Sequence, residues 1–123
     1  MLFDEAARLV RAHIERKFPK TCNLCGRVFL NLPDYVRNTR HAGQPVSYDA
    51  ALEQWRPKDP IGTYAIALCW CGTSLTIDSS GMSLVTLWRL MKFARSETRR
   101  RGVTVSEFLV EVRAEVEKQA LSE

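Results

Sequence analysis

Four cysteines are the residues of this chain whose type and spacing most directly imply chemistry. They stand in two close pairs, Cys22-Asn-Leu-Cys25 and Cys69-Trp-Cys71, and a glycine follows each pair, Gly26 and Gly72. Two residues between Cys22 and Cys25 let a tight turn aim both thiolates at one ion. A glycine that tolerates positive φ then frees backbone N–H groups to bond the sulfurs. On a strand, residues i and i+2 project from one face, so Cys69 and Cys71 are expected to point together while Trp70 faces the core. Four thiolates in two pairs make the tetrahedral sulfur shell that Zn²⁺ takes, with bonds of about 2.3 Å. The metal ligands read from the sequence are therefore Cys22, Cys25, Cys69 and Cys71. The expected cofactor is Zn²⁺, with iron accepted by the same shell. Two other readings compete, a redox dithiol or disulfide pair and four ordinary small apolar residues. The redox reading calls for a thiol activated at a helix N-terminus, whereas Cys25 precedes the β-like run Arg27–Leu30.

Other chemistries find less support. Neither histidine, His13 or His41, pairs with an obvious nucleophile, and His13, between Ala12 and Ile14, reads as a helix-surface residue. A closed four-thiolate shell leaves no open position of the kind a catalytic zinc needs. Glycine-rich phosphate loops are absent, and Asp34, Asp49, Asp59 and Asp78 fall where caps and turns use them. Gly26, where a c-type haem motif has histidine, excludes that attachment. The expectation is a protein that is not an enzyme.

A second constellation is electrostatic. Arg89, Lys92, Arg95 and Arg99 recur at steps of three, three and four, which lines them along one side of a helix, and Arg100 and Arg101 extend the cluster. Such a stripe suits the phosphates of a nucleic acid. It also suits the solvated face any amphipathic helix carries, with cations near the C-terminus favoured by the helix dipole.

Cys22–Gly26 and Cys69–Gly72 resemble the metal knuckles of zinc ribbons and rubredoxin-like sites, the second pair being one residue tighter than the usual knuckle. The resemblance implies a structural ion in a binding module. Cys22, Cys25, Phe29 and the later Arg40-His41 also resemble part of a two-Cys, two-His finger. Asn38 stands where its first histidine falls, which leaves His41 only as a substitute ligand.

The elements that must position these residues follow from periodicity. Phe3, Ala6, Ala7, Val10 and Ile14 mark an amphipathic helix over Phe3–Lys17, stopped by Pro19. Asn31 to Gly62 has no clean period and reads as a long irregular connection with one helical turn around Tyr48–Trp55, a loop length often tied to function. Thr63–Asp78 alternates small and bulky residues as a strand, turns at Gly72 and returns over Thr73–Ile77. Two helices close the chain. The first runs over Ser83–Arg100 with Leu84, Leu87, Leu90, Met91 and Ala94 as its apolar side, capped by Gly102. The second starts at the Thr104…Glu107 capping box and carries Val105, Phe108, Leu109, Val112 and Val116. The expected architecture is α+β: a small antiparallel sheet stapled by the four-cysteine zinc site and packed by about three helices, in a single domain over residues 1–123.

Composition sets the outer bounds. The 123 residues are 46% hydrophobic and 26% charged, a balance that excludes a disordered tail. The longest apolar run, Tyr64 to Cys71, is far short of the roughly twenty residues of a membrane helix. The acidic start Met-Leu-Phe-Asp-Glu argues against a secretory signal, which points to the cytoplasm. A net charge of +4 is too mild for a dedicated nucleic-acid coat. The expected function is a zinc-binding protein-interaction or regulatory module with a protein partner and no membrane. The alternatives are a nucleic-acid-binding regulator and, more distantly, a thiol redox sensor.

Overall fold

The N-terminal apolar spacing forms α1, Phe3–Glu15, in a computed structural model that describes residues 1–47 and 63–122. The expected turn around Tyr48–Trp55 lies outside the described residues. The Glu5 carboxylate accepts the Leu2 N–H at 3.2 Å, satisfying one of the open donors at the helix start. The helix ends two residues before Lys17, because the N–H groups of Arg16 and Lys17 turn back to the carbonyls of His13 and Ile14 in a tightened last turn.

Five short elements follow, where the sequence reads partly as irregular. β1, Lys20–Thr21, and β2, Val28–Phe29, pair antiparallel as a sheet of their own. α2, Leu32–Arg37, is the helix the sequence reading lacks. Asn31 caps it by accepting the Asp34 N–H at 2.9 Å, and Asp34 reaches back to the Leu30 N–H at 3.1 Å. Pro33 sits in the first turn, where its missing donor is no loss. β3, Thr39–His41, and β4, Val46–Ser47, then enter the second sheet.

That sheet is organised around β5, Thr63–Cys69. β6, Ser74–Asp78, pairs antiparallel along one edge of β5. β3 and β4 pair antiparallel along the other edge, β3 opposite the C-terminal half and β4 opposite the N-terminal end. The alternation of β5 holds, but the buried face is the small one. Ala67 and Cys69 lie in the core together with Leu75 of β6, the register partner of Ala67.

α3, Leu84–Arg101, starts at Ser83, whose side chain accepts the Thr86 N–H, and ends at Gly102 in the left-handed conformation. α4, Val105–Leu121, starts at Thr104, which accepts the Glu107 N–H at 3.1 Å. Phe108, Val112, Val116 and Ala120 of α4 recur every fourth residue and are buried. They share one core cluster with Ala7, Phe29, Leu32, Tyr35, Ala67 and Cys69. α3 is less embedded than its pattern implies. Met91 and Ala94 are buried, whereas Leu84 remains 65% exposed at the first turn, ahead of the stretch that meets the core. The described residues thus form four helices and small antiparallel sheets, an α+β arrangement. No helix among them is long and apolar enough to cross a membrane.

Candidate metal centre

Both cysteine pairs sit in hairpin turns. In the first, the Cys22 N–H donates to the Arg27 carbonyl at 2.8 Å and the Gly26 N–H to the Cys22 carbonyl at 2.9 Å. In the second, the Cys69 N–H donates to the Thr73 carbonyl at 2.9 Å and the Gly72 N–H to the Cys69 carbonyl at 2.8 Å. Each turn closes through a glycine with positive φ, +76° at Gly26 and +92° at Gly72, a region costly for residues with a Cβ. The second pair therefore corrects the strand expectation. β5 ends at Cys69, and Trp70 and Cys71 lie in the four-residue connection to β6. Strand alternation no longer governs there, and Trp70 turns outward to 63% exposure instead of facing the core. The Arg40 guanidinium covers its ring, 5.6 Å from the centroid.

The two turns belong to different sheets, yet their sulfurs meet. The Sγ atoms of Cys22, Cys25, Cys69 and Cys71 all lie within 4.8 Å of one another. Cys22 and Cys71 approach to 3.6 Å, and Cys25 and Cys69 to 3.7 Å, so each short contact crosses from one hairpin to the other. A disulfide needs about 2.05 Å, and all four cysteines are free. A tetrahedral ion with sulfur bonds of about 2.3 Å sets its ligands about 3.8 Å apart, close to the spacing found here. The cluster can hold a metal ion. Cys22 and Cys69 are buried and Cys25 and Cys71 exposed, so the ion would sit at the end of the core with one side toward solvent. Phe29 and Tyr35 support the buried side, edge to face with centroids 5.4 Å apart.

The local electrostatics favour thiolates. The N–H groups of Cys25 and Leu24 bond the Cys22 sulfur and hold that thiol below its ordinary range. Cys71 is drawn down to about 6, first by the Thr73 hydroxyl, 3.3 Å from Sγ, and then by the Thr73 N–H. Cys25 moves the other way. The Arg27 N–H lowers it, but the Cys22 thiol, burial and the remaining thiols push it up to about 11. Four thiols this close do not all ionise without a cation among them, so protons remain as bridges between sulfurs. A divalent cation removes that conflict and releases the protons.

The sequence brings the four cysteines into one place and His41 into another. His41 Nε2 is hydrogen-bonded to the Glu117 carboxylate on α4 and takes no part in the cluster. The reading from spacing missed Thr73 and Arg40. Thr73 follows Gly72 directly, so a hydroxyl beside a thiol was available as a signal; Arg40 reaches Trp70 only through the β3–β5 pairing.

The basic residues divide into two groups on α3. Arg100 is held by Glu97 at 2.7 Å and Arg101 by Glu111 at 2.7 Å. Arg89, Lys92, Arg95 and Arg99 form no ion pair among the described residues, and the last three line one shallow hollow with Ser96. Comparison with known protein families, curated proteins and solved structures finds no match to the chain. The likeness to zinc ribbons therefore rests on the two cysteine turns alone.

Proposed function

We propose that the chain is a non-enzymatic zinc-binding module. Cys22, Cys25, Cys69 and Cys71 hold one structural Zn²⁺, and the two hairpin turns ordered by that ion present a docking surface for a protein partner. The observation that carries this reading is the convergence of four sulfurs from two separate sheets within 4.8 Å. A sulfur-only donor set with tetrahedral spacing suits zinc, and a full shell leaves no position for substrate. Leu24 and Trp70, which stand between the ligands of their pairs, are 71% and 63% exposed. Apolar side chains held outward on a cross-linked turn favour recognition over packing. The module acts as one regulatory domain in the cytoplasm, whose reducing conditions keep the thiols available for the ion. Native mass spectrometry of untagged protein with a thiol count tests the reading. One zinc per chain with four reduced cysteines is the expected result. A metal-free chain with oxidised cysteines overturns it and brings the redox reading forward.

A second reading, a nucleic-acid-binding regulator, is favoured by Arg89, Lys92, Arg95 and Arg99, which form no ion pair among the described residues. It predicts duplex binding at low salt that falls steeply as salt rises, with a slope reduced by about one for each of these cations replaced by glutamine. Salt-insensitive or absent binding in a gel shift removes it.

A further inference from the structure

The outer face of α3 changes character along its length. Leu87, Leu90, Met91 and Ala94 turn toward the core and the cavity beside it, so the opposite side of the helix faces out. At 3.6 residues per turn, Leu84, Val85 and Trp88 share one outward sector of about 140° with Arg89, Lys92, Arg95 and Arg99. Leu84 and Val85 are 65% and 71% exposed, and Trp88 is half-buried. Single exposed apolar residues are ordinary, but three on adjoining positions of one face form a patch. The four cations form no ion pair among the described residues. Glu97, the one acid of the helix, lies outside this sector and is bonded to Arg100. The face therefore offers an apolar half and then a cationic half over about 22 Å of helix axis.

An occupant has to match both halves. A nucleic acid would meet the cations through its phosphates and leave Leu84 and Val85 without apolar partners. A helix that lies on a bilayer carries apolar residues along its whole length with cations on the other side. Here the cations share the sector of the apolar residues, so the C-terminal half would bring charge to the acyl region. Two copies of this face repel as well. Parallel pairing sets cations against cations, and antiparallel pairing sets them against Leu84 and Val85. A polypeptide with an apolar run beside an acidic run is complementary throughout.

We propose that the outer face of α3 docks an acidic polypeptide segment that carries a run of apolar residues next to its carboxylates. Leu84, Val85 and Trp88 anchor the apolar run. Lys92, Arg95 and Arg99, which line one shallow hollow with Ser96, receive the carboxylates. α3 supplies none of the four clustered cysteines, so the face stands independently of the metal centre.

Fluorescence anisotropy of the full chain with labelled peptides of about fifteen residues, long enough to span the face even as a helix, tests the proposal. Two probes carry a leucine- and phenylalanine-rich block and a glutamate-rich block, one in each order, and a third shuffles the same residues. One block peptide is expected to bind about tenfold more tightly than the shuffled peptide, because only it matches both halves. Leu84→Ser with Val85→Ser should lower its affinity about tenfold at low and high salt alike, the scale of lost interface anchors. Lys92→Gln with Arg99→Gln should lower it about fivefold at low salt and little at high salt, because exposed charge pairs are screened. All four side chains are exposed, so these variants keep the fold. Amide shifts on binding should centre on residues 84–99. Equal binding of block and shuffled peptides, no binding of any peptide, or shifts centred on the cysteine turns would overturn the proposal. So would tighter binding of a DNA duplex or of phosphatidylserine vesicles that survives Leu84→Ser with Val85→Ser.

Discussion

The two ends of the molecule are held by different means. At the cysteine end, β1 and β2 contribute two residues each, too few for a hairpin that stands alone in water, and the turns meet the second sheet through sulfur. At the helical end, α1 and α4 close on each other through Ala6, Ala7, Phe108, Val112, Val116 and Ala120, with apolar area as the main contribution and a cavity left beside it. On the proposed reading, order at the first end depends on a metal ion, whereas order at the second depends on packing. A single core cluster joins them, running from Cys22 and Cys69 through Phe29 and Tyr35 to Val112 and Val116. The difference identifies which residues should respond to metal and which should not.

Removing the metal should separate the ends most sharply. With zinc a thousandfold above its dissociation constant, binding contributes about 4 kcal/mol, so chelation or Cys69→Ser should lower stability by roughly that amount. Amide exchange should accelerate over residues 20–29 and 69–74 and change little in α4. Uniform acceleration across the chain would show that the two ends form one cooperative unit. Unchanged exchange would remove the metal from the account of stability.

The reverse experiment strikes the helical end. Val116 is buried among the residues of α4 that meet the core. Val116→Ala removes two methyl groups and leaves a void, an expected loss of about 2 kcal/mol in urea unfolding. The zinc stoichiometry of this variant should remain one per chain. Loss of zinc alongside stability would contradict the separation.

How much of each end was legible follows the same division. The cysteine turns were readable because their chemistry is local: Gly26 and Gly72 sit where the chain must reverse, and the sulfurs bond N–H groups a few residues away. The long helices were readable from period and caps, Gly102 and Thr104 marking the junction of α3 and α4. Where contacts come from distant segments, sequence reading failed. His13 reads as a surface residue, but Lys17 binds Asp78 and the Ser80 carbonyl, drawing the end of β6 over it; an added Cβ at Gly81 would lie 3.9 Å from its ring. Trp70 reads as core because strand alternation was extended one residue beyond the end of β5. α2 was hidden inside the stretch from Asn31 to Gly62, read as irregular for want of a clean period, although Asn31-Leu-Pro-Asp34 is a usable helix start.

A smaller perturbation sharpens the account of the second turn. An added Cβ at Gly72 would touch nothing within 4 Å, so Gly72→Ala carries only the conformational cost of φ at +92°. That cost is about 1–2 kcal/mol. If the ion holds the turn in place, the loss should appear largely as weaker zinc affinity, read by competition with a chromophoric chelator. A thermal shift with zinc affinity unchanged would mean that the sulfurs converge without help from this backbone conformation.

The smallest expected effect lies at the helical end and depends on pH. The Ser80 hydroxyl, followed by the Lys17 ammonium, holds the Asp78 carboxyl at about 2, below its ordinary 3.8. A carboxylate with a depressed folded-state pKa contributes stability above its unfolded pKa and loses it as pH falls through the folded value. The contribution is thus present near neutrality and fades between about pH 4 and pH 2. Asp78 keeps 34% of its side chain exposed, so solvent screening reduces the figure to about 1 kcal/mol. Asp78→Asn should cost that amount in urea unfolding near pH 7, and the gap from the parent chain should close near pH 2. A gap independent of pH would show that the Asp78 side chain acts by its shape and hydrogen bonds rather than its charge. The Lys17 contact would then contribute nothing electrostatic to the closure over His13.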